Sequence, residues 1–216
     1  LQEKEGLALI NGTDGMLGML ILAIADLNAL VDASDVIAAM SIEGLLGTDA
    51  VFRAELHEPL RPHPGQTLSA ARMYKALQGS GIVASHKEND DRVQDAYSLR
   101  CAPQVAGAVR DTISHAALVA TRELAAAVDN PVVLDDGNVS SNGNFHGAPV
   151  AYVLDFLAIA ATDLGSISDT IRSRCQPVPF IISKPIPQRM PQRWHRSLTG
   201  TVTIRNPRSK IAAARC

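Results

Sequence analysis

The sequence predicts a mainly α protein, a bundle of long helices with irregular loops at the helix ends. Three observations lead there. Apolar residues recur at helical spacing through residues 104–128, and residues 16–31 and 150–171 are apolar-rich runs of helical length. Aromatic residues make up 4% of a chain that is 46% hydrophobic, so Ala and Leu must fill the interior, which favours helices packed closely on one another. Turns rich in Gly and Asn stand where those stretches stop. At 216 residues the chain can hold one or two domains.

Taken in order, residues 3–10 lead into Asn11-Gly12-Thr13-Asp14-Gly15. Two glycines among Asn, Thr and Asp make a turn whose backbone can approach a ligand closely, and Asn11 offers it an amide. An Asx-type turn between helices would look the same. Residues 16–31 are almost continuously apolar but short of the roughly 20 residues a membrane span needs, and Asp26 and Asn28 interrupt them. Such a helix belongs inside a large helical core. A second helix is expected over 34–46, with Ser34 as its N-cap. Residues 47–67 carry His57, Pro59, Pro62, His63, Pro64 and Gly65. Two histidines six apart lack the spacing of a helical metal pair, so no metal site is expected.

Residues 69–78 fit a short amphipathic helix ended by Gly79-Ser80-Gly81. The charged run 85–92 reads as a mobile surface loop. It opens into Gln94-Asp95-Ala96-Tyr97-Ser98-Leu99-Arg100-Cys101. Tyr97 and Arg100, three apart, fall on one helix face, where a guanidinium can clamp a carboxylate and a phenol can handle a proton. A surface loop with a solvated Arg is the plainer alternative. Residues 104–128 predict a rod of roughly 35–40 Å, stopped by Asp129-Asn130-Pro131. A hairpin or irregular excursion follows over 132–141, turning at Asp135-Asp136-Gly137. Asn142-Gly143-Asn144-Phe145-His146-Gly147 is another polar turn before the helix expected over 150–171. Turns of this kind can converge at one end of a bundle, which predicts a pocket holding Asn11, Tyr97, Arg100 and Phe145.

The formal net charge of −2 hides an asymmetry. Residues 1–173 hold 11 Lys/Arg against 22 Asp/Glu, a balance of −11, whereas residues 174–216 hold nine Lys/Arg and no acid. The same tail carries six of the 12 prolines. Such a break marks a domain boundary or a basic arm. Clustered prolines and a lone Trp194 give a poor nucleic-acid surface, and no nucleic-acid or membrane partner is expected. The sequence shows no internal repeat, phosphate-cradling loop or nucleophile elbow. Three Cys without paired spacing point to a reducing, cytoplasmic setting. No cationic n-region with an apolar h-region stands at the start. Leu1 falls in the middle of what reads as structure, so a fragment is expected.

Four motifs then carry a resemblance. Lys4-Glu5-Gly6-Leu7-Ala8-Leu9-Ile10-Asn11-Gly12-Thr13, Pro62-His63-Pro64-Gly65-Gln66, Gln94 to Gln104 and Gly143-Asn144-Phe145-His146 occur in this order. Together they resemble the aromatic amino acid ammonia-lyase family, and within it the histidine ammonia-lyases, over residues 1–171. The resemblance implies a helical homotetramer that eliminates ammonia from L-histidine to give urocanate, with active sites built from several subunits. It implies no cofactor taken from solution, because the family's electrophile is a methylidene-imidazolone cyclised from an Ala-Ser-Gly tripeptide in the chain.

By the same resemblance, Asn11 matches the Asn near electrophile and substrate amine. Tyr97 matches the Tyr beside the electrophile, and Phe145 an aromatic that shields it. Arg100 matches the Arg pairing with the substrate carboxylate, and Gln94 a polar pocket residue. The departures are definite. No Ala-Ser-Gly occurs: Ala33-Ser34 is followed by Asp35 and Ala84-Ser85 by His86. In the family that tripeptide and the base Tyr lie upstream of the Asn-Gly-Thr turn, and the acidic residue for the imidazole lies downstream of this match. With the acid-free tail 172–216 in place of the family pattern, a truncated or frameshifted product is expected, inactive alone. Two alternatives stand beside it: a non-catalytic helical assembly module, and a phenylalanine or tyrosine ammonia-lyase, against which His146 after Phe145 favours the histidine enzymes.

Overall fold

The computed structural model describes residues 2, 4–88, 90 and 92–174. After the four-residue α1 (Glu5–Ala8) comes α2 (Asp14–Gly44), then two 3-10 turns (Ala50–Phe52, Ala54–Leu56). Next are α3 (Pro64–Leu77), α4 (Gly81–Ala84), α5 (Tyr97–Arg100) and α6 (Ala102–Leu124). The two-residue strands β1 (Val132–Val133) and β2 (Val139–Ser140) pair antiparallel, Val132 opposite Ser140, and α7 (Ala148–Arg174) closes the described residues. The tail 175–216, where the domain break and basic arm were expected, lies outside the described residues.

One 31-residue helix replaces the two expected over 16–31 and 34–46. Ser34 caps nothing: its hydroxyl donates to Val31 O at 2.8 Å and is satisfied inside the helix. The helix stays continuous because Leu17, Leu20, Leu27, Val31, Asp35, Ala38 and Ile42 keep one buried stripe along it. That stripe also corrects the all-round burial expected of this segment. Met19 is 69% and Leu22 68% exposed in the chain. Nor is the segment too short to span a membrane: α2 and α7 are both long and apolar enough in composition to cross one.

Other boundaries moved for local reasons. Helix α3 starts at Pro64, where the missing N–H costs nothing in a first turn, five residues before the expected Ser69. Helix α6 stops at Leu124 rather than Val128, because Ala125 to Ala127 are exposed and have no packing to extend it. Helix α7 runs to Arg174. The glycine turn at 79–81 ends α3, as expected, with Gly79 at φ +76°, and it also begins α4, capped by Ser80 Oγ, which accepts Val83 N–H at 3.1 Å.

The core lies between α2, α3, α6 and α7, with Leu20, Val31, Ile42, Met73, Leu77, Val109, Ile113, Val150 and Leu157 buried. Helix α6 runs antiparallel to α2. Thr13 at the start of α2 donates its hydroxyl to Glu123 at the end of α6 at 2.6 Å, and Asp35 meets Arg110 midway. Helix α7 lies parallel to α2: Gly147 packs on Met16 and Thr13, while its distal Leu164 and Ile171 line a crevice with Ala38 and Ala102. Gly65 of α3 and Gly107 of α6 meet backbone to backbone; a methyl on either would overlap the other helix's main chain. The Pro-Gly of the second motif therefore sets a close helix crossing.

Three helices are also tied by charge. Arg110 reaches Asp35 at 2.6 Å, Asp32 at 2.8 Å and Ser69 Oγ at 2.9 Å, and Arg72 Nε lies 3.1 Å from Asp35. Burial pushes the Asp35 carboxyl above its ordinary range, against the opposing pull of Arg110 and Arg72. Asp35 Oδ1 is left without a hydrogen-bond partner among the described residues.

Candidate active site

Two clusters of the expected site residues form, at opposite ends of the bundle. The first surrounds the start of α2. Asn11 follows α1, its N–H donating to Leu7 O at 2.9 Å, and its side-chain amide lies near enough to Asp129 to help favour the charged carboxylate. Gly12 sits at φ +109°, and a Cβ there would lie 2.8 Å from Val128 Cγ2, so this turn needs glycine for both conformation and room. Asp129 pairs with Lys4. The Lys4 ammonium, then the Asn130 N–H and Asn11, hold the Asp129 carboxyl below the usual range.

The same end carries Phe145. Asn130 Oδ1 accepts the N–H of Asn142 at 2.8 Å, Asn142 Nδ2 donates to Asp129 O at 3.0 Å, and Asn142 Oδ1 accepts the N–H of Asn144 at 2.8 Å. This chain of Asn side chains ties the loop to residues 129 and 130, past the end of α6, and leaves Phe145 half exposed, 40%, just before α7. His146 is occupied locally, accepting the Ala148 N–H on Nδ1 at 3.3 Å, a loose cap on α7.

The second cluster surrounds the end of α2. Tyr97 and Arg100 form the single turn α5 before the break at Cys101. Tyr97 is 71% exposed, Gln94 is exposed and Arg100 half-buried. Arg100 Nε donates to Asp95 O at 2.9 Å, which leaves the two Nη nitrogens as a fork suited to a carboxylate.

The single pocket expected to hold Asn11, Tyr97, Arg100 and Phe145 is therefore not formed within one chain. Helix α6 separates the two clusters, and its 23 residues span roughly 34 Å. The turns do lie at helix ends, as read from the sequence, but antiparallel packing sends them to two ends. A recess of about 270 Å³ between the 3-10 turns and α3, lined by Phe52, Arg53, His57 and Tyr74 among others, contains none of these residues. His57 there is buried and spent: Nε2–H donates to Val51 O at 3.0 Å and Nδ1 accepts from Gln66 at 3.0 Å.

Sequence reasoning missed Lys4, Asp129 and Asp95. Each supports a site residue through a contact that no local spacing announces; Lys4 and Asp129 are 125 residues apart. Asp95 lies in the same motif as Arg100, so its position was flagged but its role was not.

Residues 1–175 match the aromatic amino acid lyase family. The chain is 68% identical to a histidine ammonia-lyase of Streptomyces coelicolor over 169 residues, which is 78% of this chain and 33% of the relative. It is 45% identical to a tyrosine ammonia-lyase of Cupriavidus metallidurans over 185 residues, 78% of this chain and 35% of that protein. Among solved structures, the histidine ammonia-lyase of Trypanosoma cruzi superposes with a TM-score of 0.68 at 40% identity, over 81% of this chain and 32% of that one. The chain thus spans about a third of the length of these relatives. Helical architecture, motif order and these likenesses agree: the chain belongs to the aromatic amino acid lyase family.

Proposed function

We propose that this chain contributes to a histidine ammonia-lyase reaction, the elimination of ammonia from L-histidine to give urocanate. The observation that carries this reading is the high identity to the Streptomyces histidine enzyme across the helices that hold both clusters. The lower identity to a tyrosine ammonia-lyase disfavours the tyrosine alternative.

The physics of the two clusters fits the chemistry. Arg100 clamps the substrate carboxylate end-on through its Nη pair. Tyr97, exposed at the same end, stands where a phenol could exchange a proton with the reacting centre, and Gln94 adds a polar lining. At the other end Asn11 presents an amide to the substrate nitrogen, and Phe145 excludes water. A methylidene-imidazolone, when present, supplies the electrophile that turns the amino group into a leaving group. A neutral amide and an aromatic face are what such an uncharged, water-sensitive ring requires, so Asn11 and Phe145 fit it, although no Ala-Ser-Gly in this sequence can form it.

With the clusters roughly 34 Å apart, one complete site takes the Asn11 end of one copy and the Arg100 end of another. A homotetramer, as in the resemblance, satisfies that need. We place the assembly in the cytoplasm, without nucleic-acid or membrane partners. The exposed apolar stripes of α2 and α7 favour assembly as such, so a purely structural module is the second reading.

Complementation decides between them. The chain is co-expressed with full-length Streptomyces coelicolor histidine ammonia-lyase whose matching Arg is replaced by Ala. Urocanate formation that returns with this chain and is lost with Arg100→Ala is the expected result. Co-assembly without any returning activity would favour the structural module and sink the catalytic reading. Alone, the chain is expected to form no urocanate.

A further inference from the structure

We infer that Asp95 is a positioning residue for Arg100, fixing its guanidinium against the end of α2; this rests on reading Arg100 as the carboxylate clamp. A four-residue helix such as α5 cannot hold a long side chain by itself. The Arg100 guanidinium is oriented by one contact among the described residues, Nε to Asp95 O at 2.9 Å. Its aim is thus only as firm as the position of residue 95.

That position is fixed by the Asp95 side chain. Oδ2 accepts the Thr48 N–H at 2.7 Å, and Oδ1 lies 3.6 Å from Arg92, with the side chain 6% exposed. Thr48 immediately follows the turn that ends α2. There Leu46 sits at φ +53° and the Gly47 N–H donates to Ile42 O at 2.7 Å. A Cβ on Gly47 would lie 3.1 Å from Asp95 Oδ2, so the absence of a side chain lets the carboxylate close on the turn. Arg92 also donates to the carbonyls of Leu45 and Leu46, and His86 Nε2 to Gly47 O at 3.1 Å. These N–H donors, the Arg92 guanidinium among them, cover the carbonyl end of α2, where the helix dipole is negative. The carboxylate takes the outgoing N–H. Residue 95 is therefore pinned to a 31-residue helix, and its carbonyl passes that rigidity to Arg100.

The arrangement separates two roles. The carboxylate holds the backbone, while the carbonyl holds the guanidinium by Nε and leaves the Nη pair for substrate. Loss of the carboxylate frees the Nε contact to wander, which weakens carboxylate binding and leaves groups that bind the rest of the substrate untouched. Asn at this position keeps an oxygen for the Thr48 N–H and preserves most of the effect.

The test places residues 1–174 in the matching third of the full-length Streptomyces coelicolor enzyme and measures Asp95→Ala, Asp95→Asn, Arg100→Ala and the Asp95→Ala/Arg100→Ala pair. Asp95→Ala is expected to raise KM for L-histidine about tenfold, with kcat less affected. Inhibition by histamine, which lacks the carboxylate, should not change. Asp95→Asn should recover to within about threefold, and the double variant should bind L-histidine no worse than Arg100→Ala alone. If the two losses add independently, or histamine weakens in parallel, Asp95 is merely structural and the inference falls while the clamp stands. An inactive graft, or Arg100→Ala without effect on KM, overturns the clamp and this inference with it. Should Asp95→Ala not fold, as judged by its unfolding temperature, the same cycle run with Asp95→Asn decides: its smaller KM effect must vanish in the Arg100→Ala background.

Discussion

Asn11 owes its place to groups far along the chain. Its amide neighbours Asp129, which pairs with Lys4, and the ammonium keeps that carboxyl below the ordinary 3.8. A depressed carboxyl stabilises the folded state above its unfolded pKa and loses that contribution as pH falls through the lower, folded value. Lys4→Met should therefore lower the urea midpoint near neutral pH, and the gap to the parent should narrow as pH falls through the lowered, folded value of Asp129. A gap that persists at acid pH would mean Lys4 acts through packing of its stem. Both members of this pair are partly exposed, so the effect will be small and will shrink with salt.

The helices pack by small residues as much as by large ones. Gly18 in α2 has nothing within 4 Å of an added Cβ, whereas Gly107 in α6 has the main chain of Gln66 against it. The same substitution should therefore have opposite signs. Gly18→Ala should stabilise by about 1 kcal/mol through helix propensity. Gly107→Ala should cost about 1–3 kcal/mol, because pushing α3 away outweighs that gain. Thermal or chemical unfolding of the two variants side by side checks this, and equal effects would remove the close crossing from the account. The Asp35–Arg110–Arg72 group, centred on the buried Asp35, acts on the same helices as a register device, since Asp35 finds both cations only when α2, α3 and α6 are correctly aligned.

Among the described residues of the whole molecule, two apolar stripes lie in the open. On α2 Met19, Leu22, Leu30, Ile37 and Met40 share one face at helical spacing, and on α7 Tyr152, Phe156 and Ile159 share another. Such surfaces mark association sites. Leu22→Glu together with Ile159→Glu is expected to shift the protein towards smaller species in sedimentation, with the helical content retained. Unchanged association would place the contact elsewhere. On the proposed function, the separation of the two site clusters asks for a partner as well, since the Arg100 end would grip the carboxylate and the Asn11 end would meet the amine.

Amino-acid order alone decides much here. The 3.6-residue spacing of apolar positions makes the long helices, because each helix buries one face whatever its neighbours are. The motif residues Asn11, Gln94, Tyr97, Arg100 and Phe145 were legible as types suited to an amine, a carboxylate and a water-free pocket. Packing decided what local spacing cannot carry. It fused two expected helices into α2, since continuity of a buried stripe outweighs a Ser that resembles a cap. It sent the turns to two ends, since antiparallel helices of this length carry their termini roughly 34 Å apart. It also revealed Asp95 and Asp129, whose partners lie 47 and 125 residues away in the chain and meet them only once the bundle has closed.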